Sequence, residues 1–186
     1  VLFRSGNPMN INKFTQKSME AVQNCEKLAY EFGNQEIDQE HLLKSLIDQE
    51  DGLILKLIEK MEINTAHFSN RVTEDLNKKV KVQGGDLRIS NDLNKVLITA
   101  EDEAKAMGDE YVSVEHLFLS LLKYPNKAMK ELFKEYGITR DRFLTALSTV
   151  RGNQRVTSDN PEATYDTLQK YGTDLVEKAR SQKLDP

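Results

Sequence analysis

The chain has 186 residues, with 26 Lys and Arg against 30 Asp and Glu and a net charge of −4. That balance excludes the concentrated basic surface of a nucleic-acid binder. The lone Cys25 excludes a disulfide framework and a cysteine-based zinc site, and no apolar run approaches the ~18 residues of a membrane span. With 38% hydrophobic and 30% charged residues and no Trp, the composition points to a soluble, cytoplasmic, largely helical protein of one domain of ~150 residues plus an appendage. Residues 151–186 hold six basic and six acidic side chains, so the whole −4 sits in the first 150.

Residues 1–8, Val-Leu-Phe-Arg-Ser-Gly-Asn-Pro, precede Met9 and read as the remnant of a cleaved expression tag. From there the chain repeats itself at an offset of 75. Glu26, Ala29, Gly33, Glu40, His41, Leu42, Ser45 and Leu46 meet Glu101, Ala104, Gly108, Glu115, His116, Leu117, Ser120 and Leu121. Leu57, Ile63 and Phe68 then meet Leu132, Ile138 and Phe143 without an insertion. The repeats run over about 14–82 and 89–150 within a domain of 9–150.

Each repeat predicts four helices. The first begins behind Thr15 and carries one apolar stripe of 3.6-residue period: Ala21, Val22, Cys25, Leu28, Ala29 and Phe32. Gly33 follows it as a left-handed stop. Asp38 caps the second helix, with Leu42, Leu43, Leu46 and Ile47 on its apolar face; Asp51 and Asn64 are the caps expected for the third and fourth. Residues 77–86, lysine-rich and ending Gly84-Gly85-Asp86, form an exposed connector. The second repeat reuses the punctuation with Ser90, Ser113, Asn126 and Thr139 as caps and Gly108 as the stop. Its stripes are Val96, Leu97, Ala100, Ala104 and Met107, then Leu117, Phe118, Leu121 and Leu122. The fold class is therefore all-α: two tandem four-helix repeats about a pseudo-twofold axis, each covering the other's apolar face and meeting at a groove. Residues 151–160 carry one apolar side chain in ten and read as a flexible linker. Pro161 opens a short helical tail whose Tyr165, Leu168, Tyr171, Leu175, Val176 and Ala179 stripe needs a cover beyond Pro186.

Catalytic constellations are scarce. His41 and His116 are symmetry mates at the third position of their helices. They read as a repeated packing and hydrogen-bonding position, because neither has the partners a zinc site needs. Glu40–His41 and Glu115–His116 are adjacent on a helix and point about 100° apart, so neither is an acid–base pair. Cys25 reads as a small buried hydrophobe and His67 as exposed. The 186 residues contain no Gly-x4-Gly-Lys-Ser/Thr loop and no Gly-x-Gly-x-x-Gly. An enzyme is not expected here; a helical recognition module is.

Phe14-Thr15, the run Gly33–Leu43 and Tyr111-Val112-Ser113-Val114-Glu115-His116-Leu117 resemble the amino-terminal domain of the Clp family. Thr164–Leu175 and the closing Lys183-Leu184-Asp185-Pro186, with the Gly84-Gly85-Asp86 connector, resemble the ClpB branch, in which 161–186 would begin the first AAA+ ATPase domain. The resemblance implies a substrate-recognition domain of a disaggregase, engaging exposed apolar segments of unfolded or aggregated polypeptides. The whole protein would be a homohexamer using ATP and Mg and working with the DnaK system; this piece would be monomeric and without cofactor, with no nucleic-acid or membrane partner. It further implies Thr15, Leu97, Asp109, Glu115 and His116 as substrate-binding residues, polar groups at helix ends bordering an apolar groove. His116 departs from an apolar residue at its position in relatives. The alternative is an adaptor-docking domain of a ClpA- or ClpC-type protease partner, and a metal-dependent hydrolase is a distant third.

Overall fold

The computed structural model describes residues 11–162 and Tyr165. After a 3-10 turn at Ile11–Lys13 come eight helices: α1 (Gln16–Glu31), α2 (Gln39–Asp48), α3 (Leu53–Lys60), α4 (Thr65–Asn77), α5 (Asn91–Ala106), α6 (Val114–Lys123), α7 (Lys127–Tyr136) and α8 (Arg140–Arg151). Thr15, Asn64, Ser90, Asn126 and Thr139 each accept the amide of the third helical residue after them, so an orphan N–H at each helix start is satisfied. Asp38 and Ser113 occupy the cap positions of α2 and α6. Gly33 and Gly108 have φ of 70° and 71°, the left-handed stop expected of both.

Asp51 is not a cap. It takes φ 52°, and α3 starts one residue later behind Gly52, which offers no capping side chain and whose amide closes a turn on the Gln49 carbonyl at 3.0 Å. Aspartate tolerates the left-handed region because its short polar side chain can bond locally, so here the turn wins over the cap.

Two short strands were not expected from the sequence. β1 (Glu36–Ile37) pairs in parallel with β2 (Arg88–Ile89), placing Ile37 opposite Ile89. A further parallel bridge joins Phe14 to Val112. Adding 75 to Ile37 gives Val112, and adding 75 to Phe14 gives Ile89. The two bridges are therefore one contact seen twice with the halves exchanged, which is what a twofold relation requires. Side chains repeat the pattern: Ser45 donates to the Ala21 carbonyl at 2.6 Å, and Ser120 to that of Val96 at 2.8 Å.

The stripes close into one core. α2 and α6 run through its centre, with residues 114–121 of α6 all buried. Phe118 stacks on Phe143 at 4.5 Å and meets Phe133 edge-on at 5.7 Å. Cys25 is buried and His67 exposed, as read from the sequence.

The stretch 151–160, expected as a tether, is seated on the second repeat. Val156 is fully buried, its amide donates to Asp109 Oδ1 at 2.9 Å, and its carbonyl accepts from Glu110. Farther on, the Asp159 carbonyl takes the Gln16 amide at 2.7 Å. This seating copies the connector of the first repeat: Lys81 donates to the Phe32 carbonyl beside Gly33, and Arg155 to that of Met107 beside Gly108. Tyr165 is 1% exposed; the remaining stripe from Leu168 to Ala179 lies outside the described residues. Among the described residues no helix is long and apolar enough to cross a membrane.

Candidate functional site: a buried polar cluster and an open apolar cleft

Each repeat starts its second helix with a histidine in the reciprocal half of a capping box. His41 Nδ1 accepts the Asp38 amide at 2.9 Å and its Nε2 lies 2.9 Å from Asn34 Oδ1. His116 Nδ1 accepts the Ser113 amide at 2.8 Å and its Nε2 lies 2.7 Å from Asp109 Oδ2. Both ring nitrogens of both histidines are thus engaged in local structure. Among the described residues no group of three or more His, Cys, Asp or Glu is placed to hold a metal ion.

The two copies differ in how they treat the glutamate beside the histidine. In the first repeat Glu40 is fully served: Lys79 Nζ donates to it at 2.6 Å and Asn126 Nδ2 at 2.7 Å. Lys79 also reaches Asp38 at 3.3 Å. In the second repeat the mate of Lys79 is Gln154 and the mate of Asn126 is Asp51. Glu115 is fully buried and neither of its oxygens has a hydrogen-bond partner. The guanidinium of Arg151, from the end of α8, lies 3.5 Å away and also pairs with Asp109. Burial pushes the Glu115 carboxyl above its usual range. For Asp109 burial acts the same way, but hydrogen bonds from His116, the Val156 amide and Arg151 outweigh it and hold the carboxyl low. Glu162 is 8% exposed; burial, then the charge of Glu115, push it up to about 7. The Ser113 hydroxyl meets Glu162 Oε1 at 3.5 Å, while Oε2 has no partner.

The residues implied by resemblance are therefore all inside. Asp109, Glu115 and His116 are brought together around Arg151. Thr15 adjoins them through its amide, which donates to the Val112 carbonyl at 2.9 Å, while its hydroxyl caps α1 and bonds Ser18. Leu97 stands apart in the core of α5, 1% exposed. Solvent contact for these groups, expected from their place at helix ends, is not seen: the 152–162 segment and Tyr165 help cover them.

The open apolar surface lies elsewhere in the second repeat. A cleft of about 500 Å³ opens between the end of α5, the end of α6, α7 and the turn before α8. Phe133 and Ile138 form its floor, half-buried Leu122 and Pro125 one wall, and exposed Ala106 a lip. Its rim carries both signs: Lys123 and Lys130, and Arg140 held on Glu103 by two bonds of 3.1 and 2.7 Å. Sequence reading absorbed Leu122 and Ile138 into core patterns and missed this cleft. The signal was the divergence between copies, since Ala106 and Pro125 stand where the first repeat has Glu31 and Glu50.

Residues 13–136 match the family model described as the Clp repeat (R) N-terminal domain. The chaperone protein ClpB of Nitratidesulfovibrio vulgaris is 45% identical over 184 residues, 96% of this chain and 21% of that one. ClpB of Bacillus anthracis is 40% identical over 183 residues with the same coverage. The chain thus spans about a fifth of the length of these relatives. Among solved structures, the Hsp104 N-terminal domain from Candida albicans matches with a TM-score of 0.70 and 26% identity, covering 80% of this chain and 97% of that domain. A ClpV N-domain solved in complex with a VipB peptide matches in fold, with a TM-score of 0.62 at 19% identity over 83% of this chain and 97% of that one.

Proposed function

The chain belongs to the Clp repeat N-terminal domain family, and on that premise we propose that it is the client-recruiting domain of a ClpB-type disaggregase, engaging exposed apolar segments of unfolded or aggregated polypeptides. In this reading it passes those segments to an AAA+ motor, which supplies ATP and Mg chemistry as a homohexamer working with the DnaK system. The observation that carries the reading is the cleft between α5, α6, α7 and α8. Phe133 and Ile138 belong to the core at its edge, and with half-buried Leu122 and Pro125 they line a surface recess sized for one or two apolar side chains. A floor of aliphatic and aromatic groups rewards burial of any apolar side chain and so favours no particular sequence.

Thr15, Asp109, Glu115 and His116 enter the proposal at the start of α6, one helix length from the cleft, where they hold the start of α1, the 109–112 turn and α6 in register, and Leu97 enters it as a buried core residue of α5. The test is Ala106→Glu. Ala106 is exposed, so the substitution spares the core while putting a charge on the lip of the cleft. Binding of a permanently unfolded client, followed by fluorescence anisotropy, should weaken several-fold at an unchanged melting temperature. Undiminished binding would remove the cleft from the account.

A further inference from the structure

Residues 152–162, with Tyr165, lie across the second repeat and are seated chiefly at two points. At the first, Val156 is fully buried; its amide donates to Asp109 Oδ1 at 2.9 Å and its carbonyl accepts the Glu110 amide at 2.8 Å. At the second, Pro161, Glu162 and Tyr165 are buried beside the start of α6, where the Ser113 hydroxyl meets Glu162 Oε1 at 3.5 Å. Residues 157–160 between them are exposed, and the Asp159 carbonyl takes the Gln16 amide at 2.7 Å.

The connector that follows α4 is the counterpart in the first repeat, and there the seam is locked. That connector brings Lys79 to buried Glu40 with a bond of 2.6 Å. The later segment brings Glu162 into the field of the matching Glu115, a carboxylate to a carboxylate. Among the described residues neither oxygen of Glu115, nor Glu162 Oε2, nor the Tyr165 hydroxyl has a hydrogen-bond partner, and all four atoms are closed to solvent. Burying polar groups without partners weakens the docked arrangement, and water relieves that cost when the segment lifts. Of the two seams this is therefore the weaker. It is held by Val156, Pro161, Tyr165 and three amide bonds, over a core that packs without it.

We propose that residues 152–162 and Tyr165 form a strap that lifts from the second repeat while the core stays folded, and that a proton on Glu162 holds it down. Ionised Glu162 is opposed by Glu115 of α6 and favoured by Lys17 of α1 and the Ser113 hydroxyl, while Glu50 and Asp51 of the α2–α3 turn line the recess beside it. Burial, then the charge of Glu115, push the docked carboxyl up to about 7. An acid whose docked pKa is raised contributes fully to docking below its free value, and that contribution is lost as the pH rises through 7. Glu115, also raised by burial, acts in the same direction, and Asp109, held low, titrates below this window. Closed, the strap seals the start of α6 and fixes the course of the chain leaving α8; open, it admits water to Ser113 and Glu115. The device needs no bound polypeptide and stands apart from the client reading.

Hydrogen exchange of the ¹⁵N-labelled 186-residue chain, followed by NMR at pH 5.5 and 7.5, tests it. The Gln16, Glu110 and Val156 amides report the seam, and those of Leu119 and Leu121 in α6 report the core. Between a free pKa of about 4.3 and a docked one near 7, seam protection factors should fall together about twentyfold from pH 5.5 to 7.5. They should stay well below those of the core at both pH values. Glu162→Gln keeps a polar group beside Ser113 but does not ionise, and should remove most of that fall. Val156→Ser should lower seam protection at both pH values and leave the core amides unchanged. Seam amides protected as strongly as the core would make the segment part of the core and overturn the strap, and seam amides unprotected at pH 5.5 would overturn its docking. A parent without the pH dependence, or a fall in Glu162→Gln as large as the parent's, would overturn the role of Glu162.

Discussion

Acidification should weaken the fold through His41, and the structure fixes both the direction and the size. The ring is fully buried; its Nδ1 accepts the Asp38 amide and its Nε2 donates to Asn34. Only the neutral tautomer with the proton on Nε2 can make both bonds, since protonated Nδ1 would point a hydrogen at an N–H. Burial, then the nearby ammonium of Lys79, lower its pKa from 6.5 to about 4. A base whose folded pKa is depressed binds fewer protons folded than unfolded between the two values. Stability is therefore complete above pH 6.5 and falls as the pH drops towards 4, by about 2 kcal/mol between pH 7 and 4.5. Urea denaturation of the parent and of His41→Gln at both pH values measures this. Glutamine can still accept the cap amide but does not titrate, and Glu162 and the remaining acids cancel in the difference. The parent should lose about 2 kcal/mol more than the variant on acidification. An NMR titration in which the His41 imidazole protonates above pH 6, or equal losses in the two proteins, would refute the reasoning.

Lys79→Met removes the shared cation of Glu40 and Asp38 and should cost about 3 kcal/mol by chemical denaturation, because it strands a buried carboxylate; a loss under half of that would mean the network is solvated. Gly108→Ala should cost about 1 kcal/mol from its left-handed φ alone, since the added Cβ meets Arg155 only at ordinary contact distance.

The helices, all but one of their caps and the offset of 75 were legible because each is a local or periodic signal. Thr15, Ser90 and their kin announce a helix start wherever they precede an apolar stripe. The β1–β2 pair was not legible: two residues hold no period, and the partners Glu36–Ile37 and Arg88–Ile89 meet only once the copies have closed on each other. Asp51 read as a cap because a short acid before an apolar run looks the same whether it caps or turns. Residues 151–160 read as a tether from their composition, yet a single valine and backbone bonds to Asp109 and Glu110 suffice to seat them. Resemblance pointed to Asp109, Glu115 and His116 as neighbours, but nothing in the pattern singled out Arg151, which holds two of them from 36 or more residues away in sequence. The apolar cleft escaped for a physical reason: periodicity tells which face of a helix is apolar, not which part of that face its neighbours leave uncovered.

The most direct test of client recruitment is to map where an unfolded polypeptide touches the domain. Amide chemical shifts of the ¹⁵N-labelled chain should be followed as a permanently unfolded protein is added. The account predicts shifts centred on Ala106, Leu122, Lys130, Phe133 and Ile138. Shifts scattered over the surface, or absent at concentrations where binding is otherwise measured, would contradict it.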